Sequence, residues 1–487
     1  MGLAFVPLYI KYLGIEAYGL MGLFAVLQAW LGLLDMGMKP TLGREMARFN
    51  GGGHDSQSIR NLLRSIEIIG FAIAFAITLG IWAASGWLAS NWLKAPKLPL
   101  TVVANAFTIM GGVTAMRFLE DIYVSGLAGL ERQVEQNVVT SITATARGFG
   151  AVAILAWVSP TIDAFFAWQA LTSIVSVAVI AVVVYRALPP APQRVRFSMA
   201  ALIHIWRFAA GMMAITLLSL LLTQVDKILL SRLLTLEMFG YYALAGTVAG
   251  GLYTLTGPIT AAFYPRFTAL ATRRDEIRSR TTYHQGAQWV TVLMGSAAIV
   301  LMVFGENVLR LWTGDTALSQ QVAPLMMLLV LGTMFNALMW IPYQMMLAHG
   351  WTSLTIIVNG AAVGVIVPAL LLAVPRFGAI GAAWIWVIAN ATYLITTIPL
   401  MHSRLLPGEK WRWYREDVIV PLAAGALAAF MCRALAPRGL DRFGEFGLLV
   451  VSSIWVLLAS SFAAPEIRVQ LARYLPVRFR FLAARAG

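Results

Sequence analysis

The stretch YLGIEAYGLMGLF, Tyr12–Phe24, sits between two apolar runs and returns 221 positions later as LLTLEMFGYYALA, Leu233–Ala245. At that offset Leu8, Leu13, Glu16, Gly19 and Leu23 meet Leu229, Leu234, Glu237, Gly240 and Leu244, while Lys11, Ile15 and Tyr18 meet Arg232, Leu236 and Phe239. The register persists along the chain. Gly129, in VSGLAGLER, falls on Gly350, in MMLAHGWTS, and with a five-residue shift Ala167-Trp168 falls on Ala383-Trp384. Three regions agreeing in one order describe an internal repeat, and its unit must be read from what surrounds the echo.

What surrounds it is apolar. Of 487 residues, 59% are hydrophobic and 12% charged, and mean hydropathy is +0.76, far from the balance of a water-soluble domain. Runs of about 18 to 25 apolar residues recur, each long enough as a helix to cross a hydrocarbon core of about 30 Å. They cover 1–12, 17–37, 66–90, 98–119, 136–158 and 161–186, then 204–231, 237–260, 286–311, 322–347, 353–374 and 378–401, and finally 417–436 and 443–464. The first run is about half the length of a span, so the first helix is expected to be truncated. The expected fold is an all-α polytopic membrane protein of about 14 transmembrane helices. It divides into a six-helix lobe over 1–190, a second over 200–402, two further helices over 415–465 and a basic tail over 466–487. Six is even, so both lobes enter the bilayer in one sense, which makes a parallel repeat with an expected cleft between its halves.

Charge sets orientation. Of the 36 lysines and arginines, 25 fall at one alternate set of connections and span ends and 10 at the other, with Arg147 left deep inside a span. Retention of basic residues on the inner side places both termini in the cytoplasm, and Trp82, Trp87, Trp92, Trp411, Trp413 and Tyr414 suit the headgroup layers. The net charge of +14 is spread over these connections rather than gathered in one arm, which argues against a nucleic-acid partner. One cysteine, Cys432, makes no internal disulfide, and His54, His204, His284, His349 and His402 lack metal-ligand spacing. NGGGHD, Asn50–Asp55, lacks the lysine and strand context of a phosphate loop, so no cofactor is expected.

In this order the segments PLYIKYLGIEAYGLMGL, LLDMGMKPTLGREMAR, GLAGLERQVEQN, TQVDKILLSRLLTLEMFGYY, GPITAAFYPRFTAL and VPRFGAIGAAW make the chain resemble the polysaccharide-transporter branch of the multidrug/oligosaccharidyl-lipid/polysaccharide exporter superfamily. The resemblance covers nearly the whole sequence. It implies a fourteen-helix bacterial inner-membrane flippase that carries an undecaprenyl-pyrophosphate-linked oligosaccharide to the periplasmic leaflet by alternating access, for surface polysaccharide synthesis. It implies no enzymatic step, and it names the lipid-linked oligosaccharide, membrane lipids and polysaccharide assembly proteins as partners. Two other functions stay open: a drug or cation antiporter of the same superfamily, and a polytopic glycan polymerase or ligase, for which the short outer connections leave little room.

Arg147 is the sharpest candidate for substrate binding. A cation near the middle of a span costs about 2.5–3.5 kcal/mol to insert, so it must line a wet cavity or meet a carboxylate. Its fork of donors suits a pyrophosphate, whereas a structural pair with Asp35, Glu120 or Asp121 is the plainer use. Asp226 and Lys227 fall in the outer half of 204–231, where one is expected to face the cleft and Lys227 alternatively snorkels to headgroups. Arg44, Arg48 and Arg266 lie at the inner ends of equivalent helices, either collecting an anionic headgroup or merely obeying the orientation rule. Arg117 is expected to pair with Glu120 and Asp121. Gln28, Asn105, Gln224, Asn336, Asn359 and Asn390 suit sugar hydroxyls or, more commonly, bonds between helices.

Overall fold

The computed structural model describes residues 2–437 and 439–474. Arg438 and the tail from 475, with Arg478, Arg480 and Arg485, lie outside the described residues, as do the side chains of Arg207 and Arg473. Every regular element described is a helix. In a bilayer this follows from the backbone, whose amides and carbonyls must pair within the segment when no water is at hand.

Eleven described helices are long and apolar enough to cross a membrane. Two of them hold a break that separates adjacent apolar runs of the sequence. Helix α1, Gly2–Leu31, turns at Gly14 (φ 84°, ψ 169°), and α15, Ser353–Leu405, turns at Gly378 (φ 61°, ψ −147°). Glycine adopts these dihedrals without a Cβ penalty. The run 237–260 is divided at Leu252 into α8, Leu236–Gly251, and α9, Tyr253–Arg273.

The chain forms two compact units, Met1–Gly240 and Tyr241–Gly487. In the first, α4 (Leu100–Gly129) is the hub, packed against α1, α2 (Met38–Asn50), α3 (Ser56–Trp87), α5 (Gln133–Trp157) and α6 (Ile162–Ala187). Leu42, Met46, Ile59, Leu63, Ile66, Leu127 and Val184 form its apolar core. Helix α7, Met199–Leu233, packs on α1, α2 and α3.

The echoed motifs meet each other within this unit. A Cβ on Gly19 would come within 2.5 Å of the Leu236 carbonyl, and one on Gly240 within 2.5 Å of the Ile15 carbonyl. Lipid offers apolar side chains as good a solvent as protein does, so close backbone approach over small residues carries much of the helix association. The two glutamates converge as well: Glu16 accepts from the Lys97 amide at 3.3 Å, and Glu237 pairs with the Lys97 ammonium at 2.7 Å. The echoed glycines and glutamates therefore serve packing.

In the second unit α9 packs on α10 (Glu276–Val290) and α14 (Trp340–Ala348), α11 (Ser296–Val303) and α12 (Gly305–Thr313) on α13 (Thr316–Leu338), α13 and the short α16 (Lys410–Arg412) on α15, and α17 (Val420–Leu435) on α18 (Arg442–Ala463). A buried polar clamp joins α10 to the segment before α17. His284 lies between Asp417 (2.5 Å) and Glu409 (3.1 Å), and Gln288 donates to Asp417 at 2.8 Å. Trp413, expected in a headgroup layer, is instead buried beside His402 and Tyr414, whereas Trp411 is exposed.

Candidate functional site

The site lies wholly in the first unit. Helix α1 ends in a 3₁₀ turn, Gly32–Asp35, after which Met36 (φ 49°) and Gly37 (φ 76°) are both left-handed. The Asp35 carboxylate accepts the Gly37 amide at 2.8 Å, and the Thr41 hydroxyl donates to the Gly37 carbonyl at 2.6 Å, so the reversal is bonded on both sides. The break restarts the chain as α2 with Lys39 in its first turn.

Lys39 lines a cavity of about 440 Å³ with Gln28, Arg117, Glu120, Asp121 and Arg147. Three cations thus face two carboxylates. Arg147 stands near the middle of α5, its neighbours Gly148 and Phe149 pressed on Phe5, and the Trp168 indole donates to the Ala146 carbonyl at 3.1 Å. One Arg147 nitrogen donates to Glu120, whose other oxygen accepts the Ser176 hydroxyl at 2.6 Å. Arg117 donates to Gln28 at 2.9 Å and to Gln169 at 2.8 Å, its guanidinium 5.1 Å from the Phe24 ring. Lys39 pairs with Asp121 at 3.0 Å and stands 5.2 Å from the Phe118 ring.

These bonds do not exhaust the donors. The Nε atoms of Arg117 and Arg147 and the Gln28 amide nitrogen are buried without a partner among the described residues. A buried unpaired donor costs about 1–3 kcal/mol, more when charged. Chemically the arrangement is a polar cluster whose three cations outnumber its two carboxylates by one formal charge.

Arg147 therefore does both things its position allows, pairing with Glu120 and lining a polar cavity. Arg117 differs from expectation in its partners, which are two glutamines rather than Glu120 and Asp121. Sequence reasoning gave Lys39 no binding role, and nothing flagged Gln169. Asp226 and Lys227 are half-buried on α7 and do not line this cavity; Lys227 reaches the Gln224 amide oxygen at 3.0 Å and the Thr223 carbonyl at 3.3 Å of its own helix. Arg266 is exposed in the second unit, 5.7 Å from the Phe263 ring. Asn336 donates to Asn390 at 2.8 Å and accepts from the Tyr253 hydroxyl at 2.9 Å, the helix-joining use of such amides.

Arg44 and Arg48 gather on buried Glu45, at 3.9 and 3.0 Å, together with His54 at 2.6 Å. Burial pushes the Glu45 carboxyl up, but His54 and Arg48 outweigh it and hold the group below its ordinary value of 4.5. A carboxyl depressed in the fold adds stability above its unfolded value and loses it as the pH falls through the folded value. Glu45→Gln is expected to cost about 1–2 kcal/mol at pH 7, moderated because Arg48 is half in solvent, and to flatten the acid limb below about pH 4.5. Thermal midpoints in detergent across that range check it.

A sequence profile described as polysaccharide biosynthesis protein matches residues 1–271, which takes in the whole of the cavity. The chain belongs to this polysaccharide biosynthesis family. It thereby falls in the polysaccharide-transporter branch of the exporter superfamily. A Shigella flexneri protein assigned as an O-antigen transporter is 22% identical over 374 residues, covering 77% of this polysaccharide biosynthesis family member and 87% of the relative. Among solved structures the fold is shared with the lipid II flippase MurJ in an inward closed conformation, at a TM-score of 0.71, 11% identity, and coverage of 94% and 95%. It is shared also with an inward-facing multidrug resistance MATE transporter, at 0.66, 14%, 83% and 93%. The family member is a multi-pass membrane protein of transporter fold.

Proposed function

We propose that the protein moves an undecaprenyl-pyrophosphate-linked oligosaccharide from the cytoplasmic to the periplasmic leaflet of the bacterial inner membrane by alternating access, both termini remaining cytoplasmic. The cavity of Lys39, Arg117 and Arg147 takes the pyrophosphate, and Arg44, Arg48 and Arg266 act as collecting cations on the way in. The observation that carries this reading is a polar chamber inside a membrane unit with three cations and unpaired guanidinium donors. Such a chamber suits a bulky anion and repels a cationic drug, because charge interactions strengthen where water is scarce. The acyl tail needs no shelter from lipid, so only the head must be screened during passage.

The test is leaflet translocation in proteoliposomes. Labelled lipid-linked oligosaccharide is expected to appear in the far leaflet, and a cationic dye to remain outside. Dye uptake without lipid movement would make the protein an antiporter, and covalent glycan transfer by the purified chain would make it a polymerase or ligase.

A further inference from the structure

We propose that a second pocket, at one end of the second unit, binds the phosphodiester headgroup of an anionic phospholipid. Its volume is about 470 Å³, and it is framed by the junction of α9 with α10, the end of α14 and the end of α15. This inference stands apart from the substrate reading, since it uses none of the residues of the first cavity.

Four basic groups face the pocket: Arg274, Arg280, Arg404 and His349. Two carboxylates face it as well, and both are already engaged. Asp275 caps α10 through the Arg278 amide at 3.1 Å and lies 3.6 Å from the Arg278 guanidinium. Glu276, 84% exposed on its side chain, reaches Arg280 at 3.9 Å, and Arg280 also meets Glu409 at 3.5 Å. Arg274 and Arg404 have no carboxylate within ion-pair distance among the described residues. Arg404 is held 4.4 Å from the Trp351 ring, which fixes its guanidinium before any ligand arrives.

The rest of the wall is greasy. Leu270, Met345, Leu406 and Pro407 line it, so a ligand must be an anion at one end and hydrocarbon at the other. A free phosphate leaves that half of the wall in water, whereas a glycerophospholipid lays its first methylenes there. This end of the unit is the one that the charge count assigns to the cytoplasm, where a basic pocket among helix ends meets anionic lipid.

Arg274 supplies a clean probe. It is a non-glycine residue with left-handed dihedrals (φ 55°), so Arg274→Gly removes the charge while easing the backbone. The experiment titrates the purified full chain, in neutral detergent micelles, with phosphatidylglycerol, phosphatidylcholine or soluble glycerol 3-phosphate, and reads the thermal midpoint. Phosphatidylglycerol alone is expected to raise it. Arg274→Gly and Arg404→Gln should each require about fivefold more of that lipid for the half-effect. For Arg274→Gly the lipid-free midpoint should be unchanged or higher, which separates lost binding from lost folding. Arg273→Gln, exposed and outside the pocket, should keep the parent half-effect. The inference is overturned by equal response to phosphatidylcholine, by an equal effect of glycerol 3-phosphate, by parent-like titrations of both pocket variants, or by an Arg273→Gln shift as large as theirs.

Discussion

Arg147→Ala is expected to lower translocation by about 30-fold or more and to destabilise the first unit by about 3–5 kcal/mol. The first figure follows from truncating a buried, hydrogen-bonded charge that meets an anion, a loss of about 2–5 kcal/mol in binding. The second follows from leaving Glu120, only 6% exposed, as an uncompensated charge. The two effects separate in a double variant. Arg147→Ala with Glu120→Ala removes both charges, so most of the stability should return while translocation stays low. Recovery of both would reduce Arg147 to a structural partner. Arg147→Lys keeps the charge but not the fork, and should fold well yet transport poorly, because a lysine cannot bond Glu120 and a pyrophosphate oxygen in one plane. Melting curves beside leaflet assays measure both axes.

Gly37→Ala should be nearly as damaging, by a different route. Glycine at φ 76° is in a region that costs an L-residue about 1–2 kcal/mol. The added methyl would also run into the Ala209 carbonyl of α7, and a backbone atom cannot swing aside as a side chain can. Together these predict a loss of about 3 kcal/mol or more and a displaced α2, carrying Lys39 off the cavity. Gly52 is the internal control, since its φ is 78° but nothing lies within 4 Å of its Cβ position. Gly52→Ala should pay only the conformational cost of about 1–2 kcal/mol. If the two alanine variants melt alike, the contact with Ala209 is not what holds α2 in place.

Much of the fold could be read from composition and spacing, because a bilayer leaves few alternatives to apolar helices. The breaks at Gly14 and Gly378 were legible as gaps between apolar runs. Arg147 stood out for one reason: a charge in mid-span must have a polar surrounding. Its actual partner did not follow from the sequence, since Asp35, Glu120 and Asp121 were equivalent until helix rotations were known. Arg117 misled because Glu120 and Asp121 stand three and four places along the same helix, the usual spacing of a local pair. Their side chains are drawn instead to Arg147 and Lys39, and Arg117 is satisfied by Gln28 and Gln169 from α1 and α6. Lys39 was hidden among residues that set orientation. Only the left-handed pair Met36 and Gly37 turns it toward the cavity, and an unremarkable methionine gives no sign of that.

Equilibrium binding of a short-chain polyprenyl pyrophosphate sugar to the purified chain bears most directly on the cavity. Affinity should fall about tenfold or more in Arg147→Lys, Arg117→Gln and Lys39→Gln alike, and a matched lipid whose pyrophosphate is replaced by a neutral linker should bind the parent no better than it binds those variants. Undiminished affinity in all three variants, or equal binding of the neutral lipid by the parent, would contradict a pyrophosphate seat among these cations.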